Sequence, residues 1–173
     1  MDTIPEARRT ASPAGTMYRV PSRPPPAHEV ADPLVPIASM AVNGEEYTGS
    51  DMTDGRLSTS WRTLRNQVAG DRIVIAFDHP VAISSIEMDL GGFKDDYPRK
   101  LRVSVADGGQ DPTTVWEGST TGLAMLAALK EPSRMPLTID LPSTVRGRQL
   151  ILAVVGGHPG FAWSIAELMV RGR

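Results

Sequence analysis

The sequence predicts an all-β protein, an antiparallel sandwich or barrel with one short inserted helix. Three observations carry this expectation: short runs of period two, turn-forming residues between them, and a single stretch of helical period. Ile73, Ile75 and Phe77 alternate with Arg72, Val74 and Ala76. Ile86, Met88 and Leu90 alternate with Glu87 and Asp89, and Leu101, Val103 and Val105 with Arg102 and Ser104. Leu137, Ile139 and Leu141 repeat the pattern. A period of two puts each apolar set on one face of a strand, where a facing sheet can cover it. The run from Leu150 to Val155 is continuously apolar, as in a strand covered on both faces, and residues 163–170 supply the last strand.

The breaks are Asp78-His79-Pro80, Gly91-Gly92, Asp107-Gly108-Gly109 and residues 156–160, each offering a positive or preset φ. Many short strands at such spacing indicate a sandwich or barrel. The exception is residues 121–130, where Leu123, Leu126, Ala127 and Lys130 share one side of a helix that Pro132 ends.

Eight of the 15 prolines fall in residues 1–36, among them Pro24-Pro25-Pro26. Proline removes backbone donors and fixes φ, so this stretch reads as an extended arm or linker, with the domain proper at 37–173. It serves either as a spacer or as a contact for a partner protein.

Composition excludes several functions. The 173 residues suffice for one domain plus a tail. A net charge of -2 does not suit a nucleic-acid binder, which needs a concentrated basic face, nor a polybasic membrane-surface protein. Without cysteine there are no disulfides, thiolate nucleophiles or thiolate metal sites. No segment reaches the ~18 apolar residues of a membrane helix, and no apolar stretch follows the charges of residues 1–9 as in a signal peptide. The chain is thus expected to be either cytoplasmic or a segment of a longer exported or membrane-tethered protein.

Catalytic patterns are missing: no His-Glu-x-x-His, no Gly-x-Ser-x-Gly, no phosphate loop. His28, His79 and His158 lie in the arm or in turns without a metal-spaced partner. Asp95-Asp96 reads as a solvated acidic turn rather than an acid/base pair, because neighbouring side chains on a loop diverge. Trp61 and Trp163 are expected in the core.

Two segments are more specific: Thr53-Asp54-Gly55-Arg56-Leu57-Ser58-Thr59-Ser60-Trp61 and Trp163-Ser164-Ile165-Ala166-Glu167-Leu168. With Tyr97-Pro98-Arg99-Lys100-Leu101-Arg102-Val103 between them, the order and spacing over 38–172 resemble the discoidin, or coagulation-factor type C, family, close to the family 32 carbohydrate-binding modules. The resemblance implies a galactose-binding-like jelly-roll β-sandwich of about eight strands. It also implies a structural calcium in many members, with oxygens from Asp51, Asp54, Arg56, Thr59, Ala166 and Glu167. Calcium takes six to eight mixed carboxylate and carbonyl oxygens, which such a set provides. Arg56 departs from the acidic or amide residue usual there. The competing reading is that Asp54-Gly55 is a plain turn and Glu167 an ordinary paired carboxylate.

The resemblance further implies a carbohydrate or glycolipid ligand held by loops at one end, here 91–98, 62–67 and 156–161. Phe93, Tyr97 and Phe161 would supply stacking faces, and Lys94, Asp95, Asp96, Arg62, Asn66 and His158 polar contacts. Alternatively, Tyr97 packs under its own turn and Phe161 fills the rim. Residues 158–168 resemble the end of an extracytoplasmic module of bacterial membrane glycosyltransferases, which implies a periplasmic or cell-surface setting in a larger protein. The competing functional reading is a protein-interaction or assembly module; an enzyme has no constellation behind it.

Overall fold

The computed structural model describes residues 8–12, 15–19, 32–109 and 111–173. The chain forms two units, 1–31 and 32–173. In the first, strands β1 (Arg8–Ser12) and β2 (Gly15–Arg19) pair antiparallel, from Arg8 opposite Arg19 to Ser12 opposite Gly15. The Pro24–Pro26 run and His28, read as part of an arm, lie outside the described residues.

The second unit is the antiparallel β-sandwich. Its strands are β3 (Ser39–Val42), β4 (Glu45–Tyr47), β5 (Trp61–Arg62), β6 (Arg72–Asp89), β7 (Lys100–Ala106), β8 (Thr113–Ser119), β9 (Pro136–Val154), β10 (Ser164–Ile165) and β11 (Glu167–Gly172). One helix, α1 (Thr121–Lys130), is inserted between β8 and β9. The main sheet runs β4-β3-β6-β9-β7-β8, with β11 also on β6, and β5 and β10 form a separate pair. The unit starts at Asp32 rather than 37, because the Val35 N–H donates to Val170 O (2.8 Å) and the Gly172 N–H to Pro33 O (3.0 Å).

The long strands β6 and β9 correct the sequence reading, which separated 72–77 from 86–90 and 137–141 from 150–155. Each is continuous, and their ladder shifts register between Ala76 and Val81 and again between Ile83 and Ser85. Pro80, taken as a turn residue, sits in the first irregularity, where its missing N–H breaks no ladder bond. Each strand thereby serves two regions of sheet: the first half of β6 pairs β3 and the second half pairs β11.

The period-two residues are buried as the pattern requires. Ile73, Ile75, Ile86, Met88, Leu90, Leu101, Val103, Leu137, Leu150 and Leu152 are inaccessible, each contributing roughly 1.5–3 kcal/mol of transfer free energy. Trp163 is in this core, while Trp61 is half-buried and meets it edge-on at 5.5 Å. Helix α1 spans the expected residues and packs through Leu123, Ala124, Ala127 and Ala128. Ala124 and Ala127 are buried, whereas Leu126 and Leu129 are exposed. Thr120 precedes it, donating its hydroxyl to Pro98 O and tying the helix start to the loop before β7.

Candidate functional site

Three loops meet at one end of the sandwich: 62–67 after β5, 91–98 between β6 and β7, and 156–161 between β9 and β10. Gln67 joins them. Its side chain, almost inaccessible, donates from Nε2 to Tyr97 O (3.1 Å) and Ala162 O (3.0 Å) and accepts from the Arg99 N–H (3.0 Å). Its backbone N–H donates to Phe161 O (2.9 Å), and its carbonyl accepts from the His158 N–H (3.0 Å). The loops approach closely because Gly157 has no side chain: a Cβ there would lie 3.0 Å from Gln67 O. Asn66 adds a side-chain bond to Pro159 O. Loop 91–98 is anchored by the Ser164 N–H, which donates to Asp96 O (2.7 Å).

The nine expected ligand residues are thus gathered, but they divide into surface and support. Phe93 is 42% exposed and carries the Arg62 guanidinium 4.8 Å from its ring centroid. Lys94 and Asp95 are exposed. Asp96 is buried and accepts from Arg62 Nε at 2.6 Å, so the expected solvated acidic turn is half wrong. Tyr97 is buried too: it packs under its turn and offers no open stacking face. Phe161 is half-buried, with the His158 ring 4.9 Å away. Between Tyr97 and Phe161 lies Arg99, its guanidinium 3.7 Å from one ring centroid and 4.4 Å from the other. The sequence gives Arg99 no prominence because it stands inside a strand-entry motif; its two aromatic neighbours come together only in the fold. Arg62, Thr63, Leu64, Arg65, Asn66 and Ala162 line a hollow of about 220 Å³ at this end.

A second cluster forms where residues 51–59 meet β11. Thr59 Oγ1 donates to the Asp54 carboxylate at 2.8–2.9 Å, and the Arg56 N–H lies 2.9 Å from Asp54 Oδ1 and 2.8 Å from Glu167 Oε1. The Arg56 carbonyl faces Thr59 Oγ1 at 2.9 Å. The Thr59 hydroxyl holds Asp54 below the usual carboxylate range, while burial, reinforced by Asp54, pushes Glu167 up. Two carboxylates sharing one amide, with hydroxyl and carbonyl oxygens beside them, are a donor set that suits a hard divalent cation. Among the described residues no three His, Cys, Asp or Glu gather, so hydroxyl and carbonyl oxygens would have to complete a coordination shell. Asp51 faces the Tyr47 phenol instead, whose pKa burial and this carboxylate raise. Ala166 donates its N–H to Asp89 O (2.7 Å). Gly91 fixes the approach of loop 91–98 to this cluster: its φ is +55°, and a Cβ would meet Leu57 O at 2.7 Å and the Ala166 Cβ at 2.8 Å.

A larger hollow, about 740 Å³, lies between residues 34–40 and β11 and reaches Tyr47 and Glu167. Its walls are mostly aliphatic, whereas the loop end combines an exposed ring with several cationic groups, the usual makings of a polar ligand site.

No family model and no curated protein matches the sequence. Solved structures do match the fold. The family 32 module of NanJ from C. perfringens, solved with galactose, is 18% identical, with a TM-score of 0.56 over 79% of this chain and 96% of that one. The family 32 module of AlyQ, solved with 4,5-unsaturated mannuronic acid, is 14% identical, with a TM-score of 0.56 over 80% and 97%. Paired family 32 modules of Clostridium perfringens ZmpB, solved with GalNAc, are 20% identical, with a TM-score of 0.61 over 81% of this chain and 36% of that one. At these identities the likeness establishes the fold alone, the β-sandwich that these modules share.

Proposed function

We propose that the chain is a non-catalytic carbohydrate-binding module whose ligand lies across the loops 62–67, 91–98 and 156–161. The observation that carries this reading is the convergence, through Gln67, of the open Phe93 ring with Arg62, Lys94, Arg99 and His158 at one end of the sandwich. A pyranose presents an apolar face to a ring and hydroxyls to polar groups around it, and this end offers both. Solved modules of the same fold carry galactose, GalNAc or a uronate, which makes sugars the first ligands to try. Of the expected residues, Phe93, Arg62, Lys94 and His158 would touch the ligand; Tyr97, Asp96 and Asn66 would hold the loops.

The test is a glycan-array screen followed by titration calorimetry with Phe93→Ala and Lys94→Ala. A shallow site gives a Kd of micromolar to millimolar, about 4–8 kcal/mol in total, so loss of the Phe93 ring should remove most measurable binding. Absence of any glycan binding at millimolar concentration, or unchanged binding by both folded variants, overturns the reading. A protein-assembly module would then take its place; the exposed Met125, Leu126 and Leu129 on α1 favour that second reading.

A structural calcium held by Asp54, Thr59, Glu167 and the Arg56 carbonyl belongs to the same proposal. It would tie residues 51–59 to β11 and offset the repulsion between two carboxylates. A metal that binds only the folded state raises Tm by mass action. Millimolar calcium should therefore raise Tm, chelator should reverse the rise, and Asp54→Ala should abolish it. An unchanged Tm leaves Asp54-Gly55 as a turn. An extracytoplasmic setting within a larger membrane glycosyltransferase completes the proposal, supported by the sequence of residues 158–168.

A further inference from the structure

Arg99 is unlike the other arginines at the loop end. Arg62 pairs with Asp96 at 2.6 Å and Arg65 with Asp71 at 2.5 Å. Among the described residues Arg99 has no carboxylate partner. Its Nη2 donates to Asp95 O (2.9 Å), and its Nε is buried without any partner. Tyr97 and Phe161 stack against the guanidinium at 3.7 and 4.4 Å, and the Arg99 backbone N–H is held by Gln67. A guanidinium gripped by two rings loses its rotamer freedom on folding rather than on binding, and aromatic faces do not neutralise its charge as a carboxylate would. Arg62 uses only Nε for Asp96, leaving its terminal nitrogens for other acceptors, and the exposed Lys94 has no ion pair among the described residues. The one unpaired acid on these loops is Asp95, which is exposed and offsets a single charge.

We infer that the loop end selects a sugar bearing a carboxylate, a hexuronate, with Arg99 as the fixed partner of that carboxylate and Lys94 as a mobile second cation. This deepens the carbohydrate-binding reading and rests on it. Planar guanidinium and planar carboxylate match in shape and charge, whereas a neutral hexose gains only ordinary hydrogen bonds from the same group.

The experiment uses the full chain and matched ligands: oligogalacturonate, oligomannuronate and oligoglucuronate, each against its carboxyl-reduced form. Reduction turns the carboxylate into a hydroxymethyl group and keeps the linkage. In the series that binds, the uronate should bind at least about tenfold tighter than its reduced form, a preference of ~1.4 kcal/mol that shrinks as salt rises. Lys94→Gln should lower the uronate affinity several-fold more than that of the reduced form, so that the preference shrinks. Arg99→Gln, once shown to melt cooperatively, should erase the preference. If it fails to fold, the exposed Lys94 variant and the salt dependence still decide. Equal binding of uronate and reduced sugar overturns the inference and leaves the carbohydrate-binding reading standing; no binding by either form in any series overturns the inference too, and the glycan array then decides the carbohydrate-binding reading.

Discussion

Gln67 shows how one buried amide can determine the geometry of a surface site. Its two N–H groups and its oxygen are all used, by Tyr97 O, Ala162 O and the Arg99 N–H, which come from two segments, the one before β7 and the one before β10. Gln67→Leu keeps the volume and orphans three buried backbone groups, each at a desolvation cost of about 1–3 kcal/mol. The expected loss is about 3 kcal/mol in urea denaturation, together with weaker ligand binding; a loss below about 1 kcal/mol would mean that water replaces the amide. Glu167 supports a second prediction, on pH. Its folded pKa is raised by burial and by Asp54, so folding favours the protonated form. The resulting stability is present below the unfolded glutamate value of about 4.3 and is lost as pH rises through the raised folded value. In chelator, Tm should fall over that rise, and Glu167→Gln should flatten the fall. Calcium, which needs the carboxylate, should stabilise more as pH rises; a calcium effect that shrinks with pH would place the ion elsewhere.

At the scale of elements, periodicity was readable wherever one face of a strand is buried and the other is wet. Ile73-Ile75-Phe77 and Leu101-Val103-Val105 show it directly. It was not readable in β8, an edge strand whose residues 113–119 are half-buried or exposed on both faces. Nor did Asp78-His79-Pro80 reveal whether the chain turns or bulges, because proline suits both and the choice depends on the partner β9. The candidate site was readable by loop and not by role. Phe93 and Lys94 stay on the surface, but the burial of Tyr97 and Asp96 depends on Arg99 and Arg62, residues distant in sequence from one or both of their partners. In α1 the face was readable in part: Leu123 and Ala127 of the expected side meet the core together with Ala124, whereas Leu126, like Leu129, is exposed. Ala124→Leu should therefore destabilise by about 1–3 kcal/mol through overpacking, while Leu129→Gln should stay within about 0.5 kcal/mol of the parent. Thermal melts of the two variants check this, and the reverse order would mean that the helix packs on its leucine face.

At the scale of the whole sandwich, the two ends of the unit hold each other. Val35 donates to Val170 O (2.8 Å), and Gly172 to Pro33 O (3.0 Å). Arg173 Nε pairs with Asp32 at 2.9 Å, in an exposed position where an ion pair contributes little. The Val35 side chain, partly buried, packs on the core beneath these bonds. The composition of residues 32–36 resembles that of the preceding proline-rich stretch, which is why the sequence alone sets the domain edge at 37; the bonds to β11 set it at 32. Two fragments separate the alternatives. Residues 32–173 retain both backbone bonds and the Val35 contact, whereas 37–173 lose all of them. Two hydrogen bonds at roughly 0.5–1.5 kcal/mol each, with part of a valine's burial, amount to about 2–4 kcal/mol. The shorter fragment should therefore unfold at a lower urea concentration with a similar slope, because β11 loses support while the rest of the core is unchanged. Hydrogen exchange should show the loss first at Gly172, whose amide would then face water. Coincident unfolding curves for the two fragments would show that residues 32–36 only lie against the sandwich and that 37 is its energetic edge.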